Sequence, residues 1–231
     1  MDRQNDWHNL YIVATPLGNL NDVTLRALET LREVNYIFCE DTRVSSNLLN
    51  HFSIKSKLIS YHQHSSQNKI SELIKILRNS DAALITDAGT PGISDPGNKL
   101  IDEVLSISGG DCKIIPIPGP AAVTAALSIS GLPTDKFLFL GFLPHKKGRE
   151  TILKQINNTE ITTVFYESTH RILKTLEQLS VILDQKRKIV VCRELTKKFE
   201  SIYRGNILQV LNQLKDGIVK GEFVVMVSGL K

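Results

Sequence analysis

A loop rich in glycine and proline, placed directly after a buried strand, constrains this chain more than any other feature. The segment ALITDAGTPGISDPG predicts a strand over Ala83–Thr86 and, after Asp87, a loop with three glycines and two prolines. In an open α/β sheet, small ligands bind outside the carboxyl ends of the strands, where glycines let a ligand approach the backbone and prolines stiffen the loop. We therefore expect a ligand site here, although an ordinary strand-to-helix connection can have the same composition.

The first half of the chain alternates predicted strands with predicted helices. Strands are expected at Leu10–Ala14, Tyr36–Cys39, Leu58–Tyr61, Ala83–Thr86 and Ile114–Pro116. The segments between them include helical patterns such as Ile70–Arg78, whose apolar residues recur at helical spacing. Helical crossovers between strands imply a mostly parallel sheet.

A proline cluster, PIPGP at 116–120, interrupts this alternation, because proline does not continue a strand or a helix interior. We place a domain junction there, with one α/β domain over residues 1–117 and a second over residues 118–231. Strands of the second half are expected at Phe137–Gly141, Thr162–Tyr166, Ile189–Arg193 and Phe223–Val227. Several of their connections are too short for a helical crossover, so the second sheet is expected to be mixed.

Charge is distributed unevenly along the chain. Residues 119–231 hold 17 Lys/Arg against 10 Asp/Glu, whereas residues 1–118 hold 11 against 14. A basic second half favours docking of a polyanion there, and the clusters HKKGR (145–149), KRK (186–188) and TKK (196–198) are typical of phosphate contacts. An ordinary lysine-rich, solvated surface would show the same counts.

Three features predict a cytoplasmic protein that is not inserted in a membrane. The three cysteines are odd in number and far apart, which is typical of reduced packing residues. No apolar run approaches the roughly 18 residues that a membrane span needs. The polar segment MDRQNDWHNL lacks the apolar core of a secretory leader.

Common nucleotide and metal signatures are missing. The first strand is not followed by GxGxxG, the chain contains no GxxxxGK[ST], and His62 and His64 have no third metal ligand at a suitable spacing, so no metal is expected. What remains is a set of strand-end loops with small, amide and carboxylate side chains. These suit an adenosine or a ligand with an amino-acid group better than a triphosphate.

These loops carry a family resemblance. The segments TPLGNLNDVTLRALETL, FCEDTR, SYHQH, ITDAGTPGISDPG, IPGPAAVTAAL, FLGFLP, FYESTHRI and CRELTKKFE occur in this order from about Leu10 to Leu230. Together they resemble the tetrapyrrole-methylase-like enzymes that use S-adenosylmethionine. Within these the chain is most similar to the branch that 2′-O-methylates a cytidine of 16S ribosomal RNA in the small ribosomal subunit.

The resemblance implies a two-domain fold with the methyl donor in the cleft between a mostly parallel amino-terminal sheet and a mixed carboxy-terminal sheet. It also implies a homodimer. The donor contacts implied in this sequence are Leu17, Gly18, Asp87, Gly89, Thr90, Ile93, Ala121, Ala122, Tyr166, Glu167, Gly221 and Glu222.

Methyl transfer to a hydroxyl is accelerated by alignment of the reacting atoms and by a general base. Candidates for the base are Glu40, Asp41, His62 and Glu194, and we assign catalysis to Glu40, Arg43 and His62. Substrate contacts are assigned to Asp41, Lys146, Lys147, Arg149, Arg171 and Arg193. The alternative for Arg43, Arg171 and Arg193 is that they hold the candidate carboxylates in place. The CEDTR and Arg193-Glu194 groups are also typical of buried structural salt bridges.

Two other functions use the same fold. A methylase of porphyrin precursors would leave the basic clusters without a role. The intact cleft loops argue against a non-catalytic protein for donor binding or ribosome assembly. The family commonly continues past the last strand with a helical extension, so we expect RNA contacts made by such an extension to be missing and donor binding to survive.

Overall fold

The computed structural model describes residues 7–230, and the chain divides into two compact units between Ala121 and Ala122. Residues 1–6, part of the polar segment for which we predict no secretory leader, lie outside the described residues. Each unit contains one five-stranded sheet. Each sheet separates two clusters of buried apolar side chains, because successive residues of a strand point to opposite faces.

The amino-terminal unit alternates strands and helices as predicted. Its elements are β1 (Leu10–Val13), α1 (Leu25–Glu33), β2 (Tyr36–Cys39), α2 (Thr42–His51), β3 (Lys57–Ser60), α3 (Gln67–Leu77), β4 (Ala82–Leu84), α4 (Asn98–Ser108) and β5 (Ile114–Ile117). The strand order is β3-β2-β4-β1-β5 and all pairs are parallel, which confirms the predicted parallel sheet. All five carboxyl ends therefore lie at one edge of this sheet.

Local capping explains where several of these helices begin. The side chains of Thr24, Asp41 and Ser66 accept hydrogen bonds from backbone amides in the first turns of α1, α2 and α3. Such caps satisfy amides that have no partner within the helix. In α3, Ile70 and Leu77 are buried on one face, as the spacing of apolar residues predicts.

Pro116 does not end β5. The strand continues to Ile117, and Pro116 pairs with Ile12 in the parallel register. Proline is tolerated here because β5 is an edge strand, so one side of the backbone needs no ladder partner.

The carboxy-terminal unit contains the predicted mixed sheet. Its elements are α5 (Ala122–Ser130), β6 (Phe137–Phe142), α6 (Arg149–Asn158), β7 (Thr162–Ser168), α7 (Ile172–Ile182), β8 (Ile189–Arg193), β9 (Ser201–Gly205), α8 (Ile207–Lys215) and β10 (Glu222–Val227). The order is β6-β7-β10-β8-β9, with β6 and β7 parallel and the other pairs antiparallel.

The edge strand β9 is absent from the prediction. It pairs with β8 across the loop of residues 194–200. Its sequence, SIYRG, is short and only partly buried, so it lacks the apolar run that reveals the central strands.

Candidate functional site

Three loops at the carboxyl edge of the parallel sheet are joined by hydrogen bonds. Thr15 and Gly89 exchange two backbone bonds, of 2.9 and 3.0 Å, which connect the loops after β1 and β4. The Thr15 hydroxyl donates to the carbonyl of Thr86 at 3.0 Å. The Thr90 hydroxyl donates to the carbonyl of Pro120 at 3.0 Å. The loops after β1, β4 and β5 are therefore one connected surface.

Gly89 is the closest point of approach between two of these loops. It has φ +85°, in the region that favours glycine, and a Cβ atom there would lie 3.3 Å from Cδ2 of Leu17. Six predicted donor contacts belong to this pair of loops: Leu17, Gly18, Asp87, Gly89, Thr90 and Ile93. Their roles as contacts stay predictions, whereas the pairing of the two loops is a property of the fold.

A cavity of about 280 Å³ opens between the loop after β1 and helix α2. Its walls combine apolar side chains with a few polar groups, and its lining residues are Thr15, Pro16, Leu17, Gly18, Leu20, Val44, Ser45, Asn47, Leu48, Thr86 and Asp87. The hydroxyls of Ser45 and Thr86 are buried and have no hydrogen-bond partner within residues 7–230. The α2 contribution is missing from our prediction. The small polar run VSSN after CEDTR is the sequence signal for it.

Asp41 and Arg43 form a closed pair at the start of α2. The Arg43 guanidinium donates to both Asp41 carboxylate oxygens, from Nε at 3.1 Å and from Nη2 at 2.7 Å. These bonds, together with the Arg43 backbone amide, lower the pKa of Asp41 to about 2. Asp41 is therefore a poor proton acceptor, and its salt bridge with Arg43 is exposed, unlike the buried one considered for this motif.

Glu40 is in a different electrostatic environment. Its side chain is half-buried, and this desolvation, reinforced by the charge of Asp87, raises the pKa of its carboxyl group. A charge on His62 acts in the opposite direction. Desolvation also raises the pKa of Asp87. Glu40 thus lies near both Asp87 and His62. Among the three carboxylates considered as the general base, it has the strongest affinity for a proton.

In the carboxy-terminal unit, Tyr166 joins β7 to α5. Its hydroxyl accepts a hydrogen bond from the amide of Val123 at 3.1 Å, in the first turn of α5. The rings of Phe139 and Phe142 pack edge-on against it, with centroids 5.0 and 5.5 Å away. Ala122, a predicted donor contact, begins α5, and Ala121 ends the preceding unit. The predicted contact of Tyr166 with the donor stays a prediction.

Glu167 points to the opposite face of the sheet from Tyr166. It is fully buried, and Arg171 Nε lies 2.7 Å from one carboxylate oxygen while the Thr175 hydroxyl donates to the other at 2.8 Å. Arg149 Nη1 is 3.9 Å away. A ligand contact by the Glu167 side chain does not agree with this burial, because neighbouring strand residues face opposite sides. Glu167 is the centre of a buried ion network.

Arg149 and Arg171 are also directed inward. They donate to the carbonyls of Pro144 at 3.2 Å and Leu143 at 2.8 Å, respectively. The phosphate contacts predicted for these two arginines do not agree with their low exposure, 11% and 16% of the side chain. They instead hold the loop that carries Lys146 and Lys147, which are exposed.

The same division occurs in the KRK cluster. Arg187 is buried and donates to the carbonyls of Ile156 and Asn157, at 3.0 and 2.8 Å, whereas Lys186 and Lys188 are exposed. An arginine can satisfy several carbonyls at once through its five donors, while lysine keeps its charge in water.

The remaining predicted residues meet at the ends of β8 and β10. Arg193 is buried and donates to the carbonyls of Lys220 and Phe199. Gly221 has φ +106°, and a Cβ atom there would lie 2.4 Å from the Glu194 carboxyl carbon. Glu222 is exposed, and its carboxylate pairs with Lys197 at 2.9 Å. As with the other inward arginines, the burial of Arg193 does not agree with direct phosphate contact.

Glu194 is held as an anion. Burial raises the pKa of Glu194, but hydrogen bonds from the Glu222 amide and from Lys197 Nζ outweigh it, so its pKa is lowered overall. It is therefore a weaker candidate for the general base than Glu40.

Residues 7–230 contain no group of three or more His, Cys, Asp or Glu side chains arranged to hold a metal ion. None of the helices in this range combines the length and apolar character that a membrane crossing requires.

Comparison with known proteins identifies similar sequences over nearly the whole chain. Residues 9–211 match the family model described as tetrapyrrole (corrin/porphyrin) methylases. The chain is 45% identical to the ribosomal RNA small subunit methyltransferase I of Halalkalibacterium halodurans, over 98% of this chain and 78% of the relative. It is 44% identical to the Escherichia coli O157:H7 protein of that name, over 98% of this chain and 80% of the relative. The Thermotoga maritima protein of that name is 40% identical, over 95% of this chain and 98% of the relative.

Proposed function

Because this chain belongs to the tetrapyrrole methylase family, in the group of ribosomal RNA small subunit methyltransferase I, we propose that it methylates 16S ribosomal RNA. The donor is S-adenosylmethionine and the acceptor is the 2′-oxygen of a cytidine ribose in the small ribosomal subunit. The observation that carries this proposal is the joining of the loops after β1, β4 and β5 at one edge of the parallel sheet. The RNA substrate is supported by the names of the relatives.

The residues present fit such a donor. Gly89 lets the loops after β1 and β4 pack closely at the edge of the sheet, and the carboxylate of Asp87 complements a positively charged ammonium or sulfonium group. The neighbouring cavity offers apolar walls with few polar groups, as is typical of small-molecule sites. When bound, S-adenosylmethionine supplies a methyl group activated by its positively charged sulfur.

Glu40 is the general base of this proposal. Its carboxylate takes the proton of the acceptor hydroxyl, and its raised pKa strengthens its affinity for that proton. Arg43 holds Asp41 ionised, and a positive charge on His62 would lower the pKa of Glu40. Removal of the acceptor proton is thus assigned to a residue of this chain.

Lys146 and Lys147 are the proposed phosphate contacts. Both are exposed in the loop before α6, and Arg149 and Arg171 bind the carbonyls of that loop. Electrostatic contacts of this kind attract the RNA backbone without reading its sequence.

The proposal is tested by incubating the protein with tritiated S-adenosylmethionine and one of three acceptors: assembled small subunits, naked 16S ribosomal RNA, or tetrapyrrole precursors. We expect label in ribosomal RNA, located by nuclease digestion at a cytidine 2′-O-methyl group. Glu40→Gln is the control for a contaminating activity: we expect it to bind the donor with unchanged affinity by calorimetry and to transfer far less label. Label in the tetrapyrroles, or in none of the acceptors, would contradict the proposal. Sedimentation of the same protein tests the homodimer implied by the resemblance.

A further inference from the structure

A groove of about 610 Å³ lies beside the loop of residues 194–200, in the carboxy-terminal unit. Its walls include Phe199, Tyr203 and Ile218, together with Lys198 and Lys220. Aromatic and apolar side chains therefore stand next to lysines on one surface. This combination is typical of sites that bind single-stranded nucleic acid, which stack bases on aromatic rings and attract phosphates with basic groups.

Phe199 is unusually exposed for a phenylalanine. It is 66% accessible, whereas the other exposed phenylalanines of this unit, Phe137 and Phe142, are 41% and 52% accessible. Leaving an aromatic ring in water forfeits the free energy gained by burying it. An exposed ring on an ordered loop is therefore expected to have a partner.

Hydrogen bonds fix the backbone of the loop that carries Phe199. The buried Arg193 donates from Nη1 to the Phe199 carbonyl at 3.0 Å and from Nε to the Lys220 carbonyl at 2.5 Å, so it ties the two sides of the groove together. The Glu200 carboxylate accepts from the Thr196 amide at 2.6 Å. The ring is thus presented by a fixed backbone, which reduces the entropy that a partner must remove on binding.

The groove is lined by charges of both signs, and its two carboxylates already have partners: Glu194 pairs with Lys197, and Glu200 accepts from the Thr196 amide. Lys197 is paired with Glu194 and Glu222, at 3.0 and 2.9 Å. Lys198 lies with its Nζ 5.6 Å from the centre of the Phe199 ring. Within residues 7–230, neither Lys198 nor Lys220 forms an ion pair. A partner with negative charge and a flat apolar surface matches this arrangement.

We propose that Phe199 is a stacking platform for an unpaired base of the RNA substrate, with Lys198 and Lys220 contacting the adjacent phosphates. This inference rests on the proposed function, because it assumes an RNA substrate, and it assigns to Phe199 a recognition role separate from methyl transfer. Arg193, predicted from the sequence to contact the substrate directly, becomes a positioning residue for the platform. A second copy of this chain would fit the groove less well, since it would bury two unpaired lysine charges.

The direct test places a reporter at the platform. In the Trp7→Phe/Phe199→Trp protein, residue 199 carries the sole tryptophan, since the chain contains one tryptophan. We expect its fluorescence to be quenched by a 12-nucleotide single-stranded RNA and not by a duplex of the same length. The absence of quenching at RNA concentrations that saturate binding by anisotropy would overturn the proposal.

Affinity is measured with the same RNA, fluorescently labelled. We expect Phe199→Ala to weaken binding by about 10-fold, within the roughly 5- to 150-fold expected for the loss of one stacked base. Phe199→Tyr is expected to retain wild-type affinity, because the aromatic face is kept. Phe137→Ala is the matched control, since Phe137 is an exposed phenylalanine on β6, at the opposite edge of the same sheet from β9.

The possible failures are distinguishable. If Phe199→Ala binds RNA as tightly as the wild type while small subunits are still methylated, the platform is refuted and the proposed function survives. If RNA quenches the fluorescence of the tryptophan at position 199 but no acceptor is methylated, the platform is supported and the proposed function fails. If Phe199→Ala dissociates a dimer in sedimentation without changing RNA affinity, the groove holds a second copy and the platform is refuted.

Discussion

The backbone amide of Asp41 donates a hydrogen bond to the Asp87 carboxylate at 3.2 Å. This bond connects the start of α2 to the loop after β4, although the two residues are 46 positions apart. It also brings a second carboxylate towards Asp87, and Arg43 compensates the charge of that second carboxylate by pairing with Asp41. The result is an acidic cluster in which Asp41 stays ionised and Glu40 has a raised pKa.

Glu40→Gln tests the proposed role of Glu40 as the general base. We expect this change to lower the turnover number by about 10²- to 10⁴-fold, the typical contribution of a general base, and to leave donor affinity unchanged. The wild-type rate is expected to fall as the pH is lowered through the Glu40 pKa, because only the carboxylate accepts a proton. Since burial and Asp87 raise that pKa, the fall begins at a higher pH than for an ordinary glutamate. Single-turnover rates measured across pH would show both effects.

Glu29→Gln serves as the control for this experiment, because Glu29 is an exposed glutamate on α1. Its pH profile and rate are expected to match the wild type. A Glu40→Gln protein with the wild-type profile would leave the acidic cluster with a structural role only.

Gly89→Ala tests the close approach of the donor loops. The substitution introduces strain at φ +85° and a methyl group 3.3 Å from Leu17, so we expect donor affinity to fall by about 10-fold or more. Gly109→Ala is the matched control. Gly109 has φ +61° at the end of α4, but a Cβ there meets no atom within 4 Å. Both variants are expected to lose about 1–2 kcal/mol of stability. Calorimetric titration with the donor distinguishes the two variants, because only Gly89→Ala is expected to bind the donor more weakly. Equal donor affinities would argue against the Leu17–Gly89 contact as part of the site.

Arg171→Ala tests the buried network around Glu167. It removes the closest positive partner of a fully buried carboxylate, which is expected to cost about 3–5 kcal/mol in the free energy of unfolding. Lys154→Ala removes an exposed ion pair with Glu150 of similar length, 2.9 Å, and is expected to cost far less, because solvent screens exposed charges. Urea denaturation of both variants measures the difference. A small loss for Arg171→Ala, similar to that of Lys154→Ala, would contradict the structural role of this arginine.

Lys146→Ala/Lys147→Ala tests the RNA-docking surface while leaving the buried Arg149 in place. If both lysines contact phosphates, the slope of log affinity against log salt is expected to flatten by about 1.4 to 1.8, since each contact contributes roughly 0.7 to 0.9. Donor affinity is expected to remain unchanged. Lys55→Ala/Lys75→Ala removes the same charge from exposed positions of the amino-terminal unit and is expected to keep the wild-type slope. An unchanged slope in the first variant would identify these lysines as solvated surface.

Much of the fold follows from residues that are close together in the chain. Apolar spacing predicts α3, and glycine-rich loops mark the strand ends. These signals are local, because a helix or a strand is formed by neighbouring residues and a glycine is needed wherever the backbone has positive φ. The strand β9 lacked such a signal, since an edge strand needs fewer apolar residues than a central one.

The roles of the charged residues depended on the tertiary structure. In the sequence, Arg149 stands beside Lys147 in one basic cluster, yet Arg149 turns inward to Thr175 and Gln178 while the lysine stays in solvent. Likewise, Glu40 and Asp41 are adjacent carboxylates, but burial together with Asp87 raises the pKa of Glu40, whereas Arg43 lowers the pKa of Asp41. Composition and motif order thus determined the fold class, the family and the loops of the candidate site. Which charges are buried, paired or exposed was decided by contacts between residues far apart in the chain, because desolvation and Coulomb energies depend on distances in space.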